Sequence, residues 1–289
     1  MGTKSFAIIG GGKMGEAILK GWLASDAAPA ADIAPSDVIV VEPGEERRAF
    51  LVAEHGVTCV ADASLIEPGQ ADVAVLAVKP QVMMNVLETV AANPAFGGGD
   101  GGSKSAYQGN TLFISIAAGI PTERLEAALP QDAPVVRVMP NMALSIGAGA
   151  SGVCKGAAAT DDQLAYVAGL FGCLGKAVCV DEADMDIVCA LSGSGPAYVA
   201  AMVEALRDAA AAQGLDVELA ETLALQTVLG TARLIDETPL SPAVTREAVC
   251  SPGGTTLAAL DAMYQEGFNE VFQAGVDAAV RRSKELAQS

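Results

Sequence analysis

The chain has 289 residues, 51% of them hydrophobic, and a formal net charge of −18. That length allows two domains with separate cores, and the apolar content excludes a disordered chain. The charge argues against nucleic acid or an anionic membrane surface as partner, and it obliges any anionic ligand's site to create local positive potential.

From the N-terminus, residues 1–10 carry one lysine and a run of only four apolar residues ahead of Gly10, a first strand rather than a signal peptide. The apolar runs elsewhere are short and interrupted by Gly, Pro or charge, so no membrane-spanning segment and a cytoplasmic location are expected. Short β-branched runs at 6–10, 38–42, 57–60, 73–78, 112–116, 135–139, 152–155 and 177–180 alternate with helical stretches. The run at 73–78 is apolar on both faces, as a central parallel strand should be. This βαβ order predicts a doubly wound α/β sheet over residues 1–181. Residues 93–109, six of the seventeen glycine, read as a flexible surface insertion.

After Asp181 the β-branched runs stop. Ala/Leu-rich stretches at 183–191, 196–213, 217–236, 242–249, 255–265 and 267–286 predict an all-α domain over 182–289. Ser194 and Pro196 suit the start of the second stretch, with Ser194 as its cap. That stretch is apolar nearly all round between Ala197 and Ala212 and needs cover on every side. A domain of this size has little core to provide it, so an obligate dimer through the helical domain is expected. The last stretch places Phe268, Val271, Phe272, Gly275 and Ala279 on one face.

The chemistry is narrowed first by what is scarce. The only histidine, His55, precedes Gly56 at a helix C-terminus, where it suits the dipole. No metal site and no Ser-His-Asp triad are expected from it. The six cysteines contain no C-x-x-C pair and read as small core residues without a disulfide framework.

Ile9, Gly10, Gly11, Gly12, Lys13, Met14 and Gly15 form a G-x-G-x-x-G turn between the first strand and a helix, the context of a Rossmann-like dinucleotide site. Gly10 permits the turn, Gly12 lets the backbone approach a pyrophosphate, and Gly15 lets helix and strand pack closely. Free N–H groups at the helix start hold the anion. Glu42, 27 residues after Gly15, suits the ribose hydroxyls of NAD, whereas Arg47 and Arg48 suit the extra phosphate of NADP. Both alternatives stand at this point. Three further strand ends face the same edge: Ala77-Val78-Lys79-Pro80, Ser115-Ile116-Ala117-Ala118-Gly119 and Val138-Met139-Pro140-Asn141. In the helical domain, Ser251-Pro252-Gly253-Gly254-Thr255-Thr256 precedes a helix and offers a carboxylate site made of N–H groups and hydroxyls, with no cation. Thr256 adds a hydroxyl that both donates and accepts.

Together these segments, with Leu191-Ser-Gly-Ser-Gly-Pro-Ala-Tyr198 and Val249-Cys-Ser-Pro-Gly-Gly-Thr-Thr256, resemble the pyrroline-5-carboxylate reductases over nearly the whole chain. The resemblance implies reduction of the cyclic imine of 1-pyrroline-5-carboxylate to L-proline, the last step of proline biosynthesis. NADP(H) is the cofactor expected from it, with NAD(H) as the alternative because of Glu42. It implies an interlocked homodimer, in many members assembled further to decamers. It places the substrate carboxylate on Ser251, Gly253, Gly254, Thr255 and Thr256, with the Thr256 hydroxyl bonded to the imine nitrogen. A protonated imine already accepts hydride well, so the chemistry needs positioning and proton supply more than a strong acid. Three features depart from the family pattern: Met142 where Thr is usual, Glu42 where NADP-preferring members carry a small polar residue, and the longer 93–109 segment. A resemblance to β-hydroxyacid dehydrogenases is weaker, since their catalytic lysine lies in the helical domain, where this chain has only Lys284. A catalytically silent dinucleotide sensor would have no use for the 251–256 loop.

Overall fold

The computed structural model describes residues 4–97 and 111–288. These form one eight-stranded sheet, with strands β1 (Phe6–Ile9), β2 (Val38–Val41), β3 (Thr58–Val60), β4 (Val73–Leu76), β5 (Leu112–Ser115), β6 (Val135–Met139), β7 (Gly149–Lys155) and β8 (Gly175–Cys179). Their order is β3-β2-β1-β4-β5-β6-β7-β8. From β3 to β6 every pairing is parallel. β7 runs antiparallel to β6, with Val138 opposite Val153, and β8 lies parallel to β7. The last two strands therefore depart from an all-parallel sheet. The link from β6 to β7 holds only the short 3₁₀ turn Met142–Ile146, too short for the crossover that a parallel return needs.

The helices of this region are α1 (Lys13–Leu23), α2 (Glu45–His55), α3 (Pro80–Ala92), α4 (Thr122–Ala128) and α5 (Asp161–Gly172). Side-chain alternation along each strand feeds two cores. Phe6, Ile8, Val38, Val40, Val73 and Val75 face Ile18, Leu19 and Trp22 of α1, Leu51 of α2, and Leu170 and Phe171 of α5. Ala7, Ile9, Ile39, Val41, Ala74 and Leu76 face Met83 and Leu87 of α3 and Leu125 of α4. Trp22 lies between Phe6 and Phe171, with ring centroids at 5.6 and 6.1 Å, and its indole N–H donates to the Leu170 carbonyl at 2.9 Å. Full burial of side chains of this size contributes about 1.5–3 kcal/mol each. Helices on both faces and a reversal of strand order between β1 and β4 make this the doubly wound sheet expected from the sequence.

Several local expectations are corrected. The front of the 93–109 segment is ordered: Asn93 donates to the Ala63 and Ile66 carbonyls and caps the turn Pro94–Phe96, which buries Phe96 fully. Its remainder lies outside the described residues. Of the six cysteines only Cys154 is buried, and all are free, so they are not simply core residues.

The helical region contains α6 (Met185–Val188), a π turn Cys189–Gly193, α7 (Gly195–Ala212), α8 (Val217–Glu237), α9 (Pro242–Ala248), α10 (Thr255–Gln265) and α11 (Phe268–Gln288). Ser194 is not an N-cap. It is itself helical, and its hydroxyl donates back to the Cys189 carbonyl at 3.2 Å. Pro196, which has no N–H, leaves the Ser192 carbonyl without its helical donor. The Asn141 side-chain amide supplies that bond at 3.0 Å. The helical run therefore continues through the proline. Among the described residues, Glu182–Ala212 is the one helical stretch long and apolar enough by length and composition to cross a membrane, an 18-residue window of it having mean hydropathy 1.3.

Compact packing divides the chain into Met1–Ser194 with Ala279–Ser289, and Gly195–Ala278. The first unit thus extends past Asp181 and includes the end of α11, where the Ser283 hydroxyl donates to Asp186 at 2.6 Å. In the second unit, no residue of α7 is buried.

Candidate active site

The glycine turn is shaped by its own steric limits. Gly10 has φ +116°, a conformation L side chains rarely adopt, and a Cβ there would lie 2.6 Å from the Ala77 carbonyl oxygen. A Cβ on Gly15 would lie 2.0 Å from the Gly10 carbonyl oxygen. Gly12 differs, because a Cβ there would meet nothing within 4 Å. Its φ of −69° suits any residue, so the chain's own packing does not require glycine at this position. An incoming group would require it. Gly12 is the N-cap of α1 and no side chain caps it. The first helical bond is Glu16 N–H to the Gly12 carbonyl at 2.9 Å, so the N–H groups of Lys13, Met14 and Gly15 lie ahead of the ladder, free for an anion. A pyrophosphate fits this cradle.

The strand ends named from the sequence converge here. Ala77 and Val78 lie against Gly10. Lys79 is exposed and caps α3, with Pro80 in its first turn. Ile116, Ala117 and Ala118 follow β5, and Ser115 is fully buried. Asn141 follows β6, nine-tenths buried; its Oδ1 accepts from the Ala143 and Ala150 N–H groups while its amide holds Ser192. Its side chain is therefore engaged in structure. Met142, strongly exposed, shares a cavity of about 500 Å³ with Lys13, Met14, Glu16, Ala17, Lys20 and Ser145. Lys13 and Lys20 provide there the local positive charge that the acidic chain needs.

At the end of β2, the Glu42 carboxylate stands beside Gly11, and its Oε1 accepts the Gly44 N–H at 2.9 Å. Arg48 donates from Nη1 to the Glu42 and Pro43 carbonyls. Arg47 donates from Nε to the Gly11 carbonyl at 2.7 Å and from Nη2 to Glu16 at 2.5 Å. The other Glu16 oxygen faces His55 Nε2 at 3.2 Å. Burial pushes the Glu16 carboxyl up, but the hydrogen bonds from Arg47 and His55 outweigh it and hold the group below its usual range. Sequence reading missed Glu16 entirely and gave His55 only a helix-end role. Their one signal was that the acid directly follows Gly15.

In the helical unit, Gly253 has φ +69°, and a Cβ on Gly254 would lie 2.4 Å from Ser251 Oγ. Gly254 caps α10 without a side-chain bond, and the first helical bond is Ala258 N–H to the Gly254 carbonyl at 3.3 Å. The N–H groups of Thr255, Thr256 and Leu257 precede the ladder. Ser251, Gly253 and Thr255 are exposed and Thr256 is half-buried.

A doubly wound sheet with an anion-ready glycine turn at its strand ends, followed by a helical region, defines the nicotinamide-dinucleotide oxidoreductases. Comparison with known proteins narrows this. The sequence model of the family described as pyrroline-5-carboxylate reductase dimerisation matches residues 182–286. One described as NADP oxidoreductase, coenzyme F420-dependent, matches residues 5–96. The chain is 41% identical over 281 residues to a pyrroline-5-carboxylate reductase of Synechocystis sp., covering 97% of each chain. It is 38% identical over 289 residues to that of Pseudomonas aeruginosa, covering 100% and 98%. Among solved structures it superposes on a pyrroline-5-carboxylate reductase from Coxiella burnetii with TM-score 0.86 and 34% identity over the full length of both chains. A Plasmodium falciparum pyrroline carboxylate reductase with NADP bound gives TM-score 0.81 and 27% identity over 99% of each. The chain belongs to the pyrroline-5-carboxylate reductases, NAD(P)H-dependent oxidoreductases that reduce 1-pyrroline-5-carboxylate. The description matched by residues 5–96 and the Plasmodium falciparum structure both name NADP.

Proposed function

We propose that the chain catalyses the last step of proline biosynthesis in the cytoplasm as a homodimer, assembled further to a decamer, with no nucleic-acid or membrane partner. The division of labour follows the two glycine-rich helix starts. The turn through Ile9, Gly10, Gly11, Gly12, Lys13, Met14 and Gly15 binds the pyrophosphate. Glu42 and Arg47 meet the adenosine ribose, and Ala77, Val78, Lys79, Pro80, Ile116, Ala117 and Ala118 form the remaining wall. Asn141 acts by shaping the strand end. When bound, the cofactor supplies hydride.

Ser251, Gly253, Gly254, Thr255 and Thr256 hold the substrate carboxylate. The observation that carries this reading is the state of the loop: the Thr255, Thr256 and Leu257 N–H groups precede the α10 ladder, and the Ser251, Thr255 and Thr256 hydroxyls have no hydrogen-bond partner among the described residues. The Thr256 hydroxyl oxygen accepts from the protonated imine N–H and fixes the ring. Orientation of this kind accounts for much of the rate in a reaction whose acceptor is already activated. The homodimer reading is supported by the dimerisation match over 182–286 and by the exposed apolar helices of that region.

The test is the Thr256→Ala enzyme assayed by NADPH absorbance with 1-pyrroline-5-carboxylate. Losing one such hydrogen bond removes about 1–3 kcal/mol of transition-state stabilisation, a roughly 5- to 150-fold fall in kcat, with NADPH affinity unchanged. Unaltered turnover would remove Thr256 from the mechanism.

A further inference from the structure

Arg47 is not a loose surface cation. Its Nε is spent on the Gly11 carbonyl at 2.7 Å and its Nη2 on Glu16 at 2.5 Å, while the guanidinium carbon lies 5.0 Å from the centre of the Phe50 ring. Nη1 alone has no partner among the described residues. Glu16 is itself held from behind by His55, the chain's single histidine, whose side chain is 8% exposed and packs edge-on to Phe50 with centroids at 6.4 Å. The chain His55–Glu16–Arg47–Gly11 thus ties the first turn of α1 to both ends of α2 and ends on the dinucleotide turn.

NADPH and NADH differ only in the phosphate on the adenosine ribose 2′ oxygen, and that ribose sits by the residues that follow β2. There Glu42 stands beside Gly11 and repels a phosphate, whereas Arg47 attracts one. The preference depends on where the Arg47 fork points. A flexible side chain would sample many orientations, but the two bonds on Nε and Nη2 select one.

We propose that Glu16, backed by His55, is a positioning residue for cofactor choice: it holds Arg47 so that Nη1 is presented to the 2′-phosphate of NADPH. The proposal rests on the reading of the glycine turn as the cofactor site and assigns a role to two residues that act on the nucleotide only through a third. Without Glu16 the site would have more net positive charge but Arg47 no fixed direction, and direction is what a planar fork needs to bind a phosphate well.

The test is equilibrium titration of NADPH and NADH, followed by cofactor fluorescence, on the full-length protein and its Arg47→Ala, Glu16→Ala, Glu16→Gln and Glu16→Ala/Arg47→Ala variants. Arg47→Ala is expected to weaken NADPH about tenfold while NADH changes less than about twofold. Glu16→Ala weakens NADPH in the same selective way, and the double variant binds NADPH no more weakly than Arg47→Ala, since a residue acting through Arg47 has nothing left to contribute once it is gone. Glu16→Gln keeps an acceptor for Nη2 and loses less than Glu16→Ala. Equal weakening of both cofactors by Glu16→Ala, additive losses in the double variant, or a gain in NADPH affinity would each overturn the proposal. If Arg47→Ala shifts the NADPH to NADH ratio and Glu16→Ala does not, the positioning role alone fails. If Arg47→Ala leaves the ratio unchanged, the reading of Arg47 at the ribose fails with it.

Discussion

Strand β4 and helix α8 are both rich in apolar residues, yet they meet water very differently. Every residue of Val73–Leu76 is fully buried. Along α8 only Ala220 and Ala224 are buried, while Leu219, Leu223, Leu225 and Leu229 are all about half exposed. The same contrast holds for the units that contain them. The sheet unit closes two cores of its own, whereas the helical unit presents Val271, Phe268 and Phe272 beside a cavity of about 530 Å³ lined by Tyr198, Met202 and Met263. Apolar surface on this scale marks an interface. Hydrophobic content alone therefore does not reveal whether an element finishes its packing within the chain; the strand has neighbours on both faces and the helices leave apolar surface open.

The sharpest way to break that comparison is to charge both units. Phe272→Asp should dissociate the proposed dimer, in which the exposed Phe272 ring would be covered, at a cost of about 3–5 kcal/mol. Leu65→Asp, at an exposed position of the sheet unit, should stay within roughly 0.5 kcal/mol and leave assembly intact. Light scattering and thermal melts report both; an intact dimer in the Phe272→Asp protein would end the idea that the exposed helices are waiting for a second copy.

The glycine turn gives a finer contrast inside one unit. Gly15→Ala puts a Cβ into the Gly10 carbonyl and should destabilise the fold by about 1–3 kcal/mol. Gly12→Ala faces open space and should leave the melting temperature alone while weakening NADPH at least about tenfold. If Gly12→Ala binds NADPH normally, the cradle holds something else. The smallest expected effect lies at the ribose. Glu42→Ser should raise the NADPH to NADH specificity ratio several-fold, on the order of 1 kcal/mol. An unmoved ratio means that Glu42 does not face the ribose.

Much of this was legible in the residues. All eight strands form within three residues of where their β-branched runs place them, because such runs satisfy both sheet faces and have few alternatives. The steric needs of Gly10 and Gly15 were also plain, since a turn between strand and helix imposes them locally. What could not be read was pairing across distance. Glu16 and His55 are 39 residues apart, and nothing in their neighbours announces that they share a contact. Nor did Pro196 declare that its missing N–H would be made good by Asn141 from another strand end. The reversal of β7 was recoverable in principle, from a link too short to carry a crossover helix. The dimer expectation came from counting apolar faces on one helix, which tells how much surface wants cover but not what covers it.

Trp22 has a consequence for how this molecule can be watched. It is the chain's one tryptophan, sealed among Phe6 and Phe171 with its N–H bound to a backbone carbonyl. Tryptophan emission therefore comes from a single address, on α1 in the sheet unit, with no contribution from the helical unit. Circular dichroism, by contrast, is dominated by the helices. Because helices occur in both units, the two signals recorded together during denaturation compare loss of the Trp22 core with loss of helix over the whole chain.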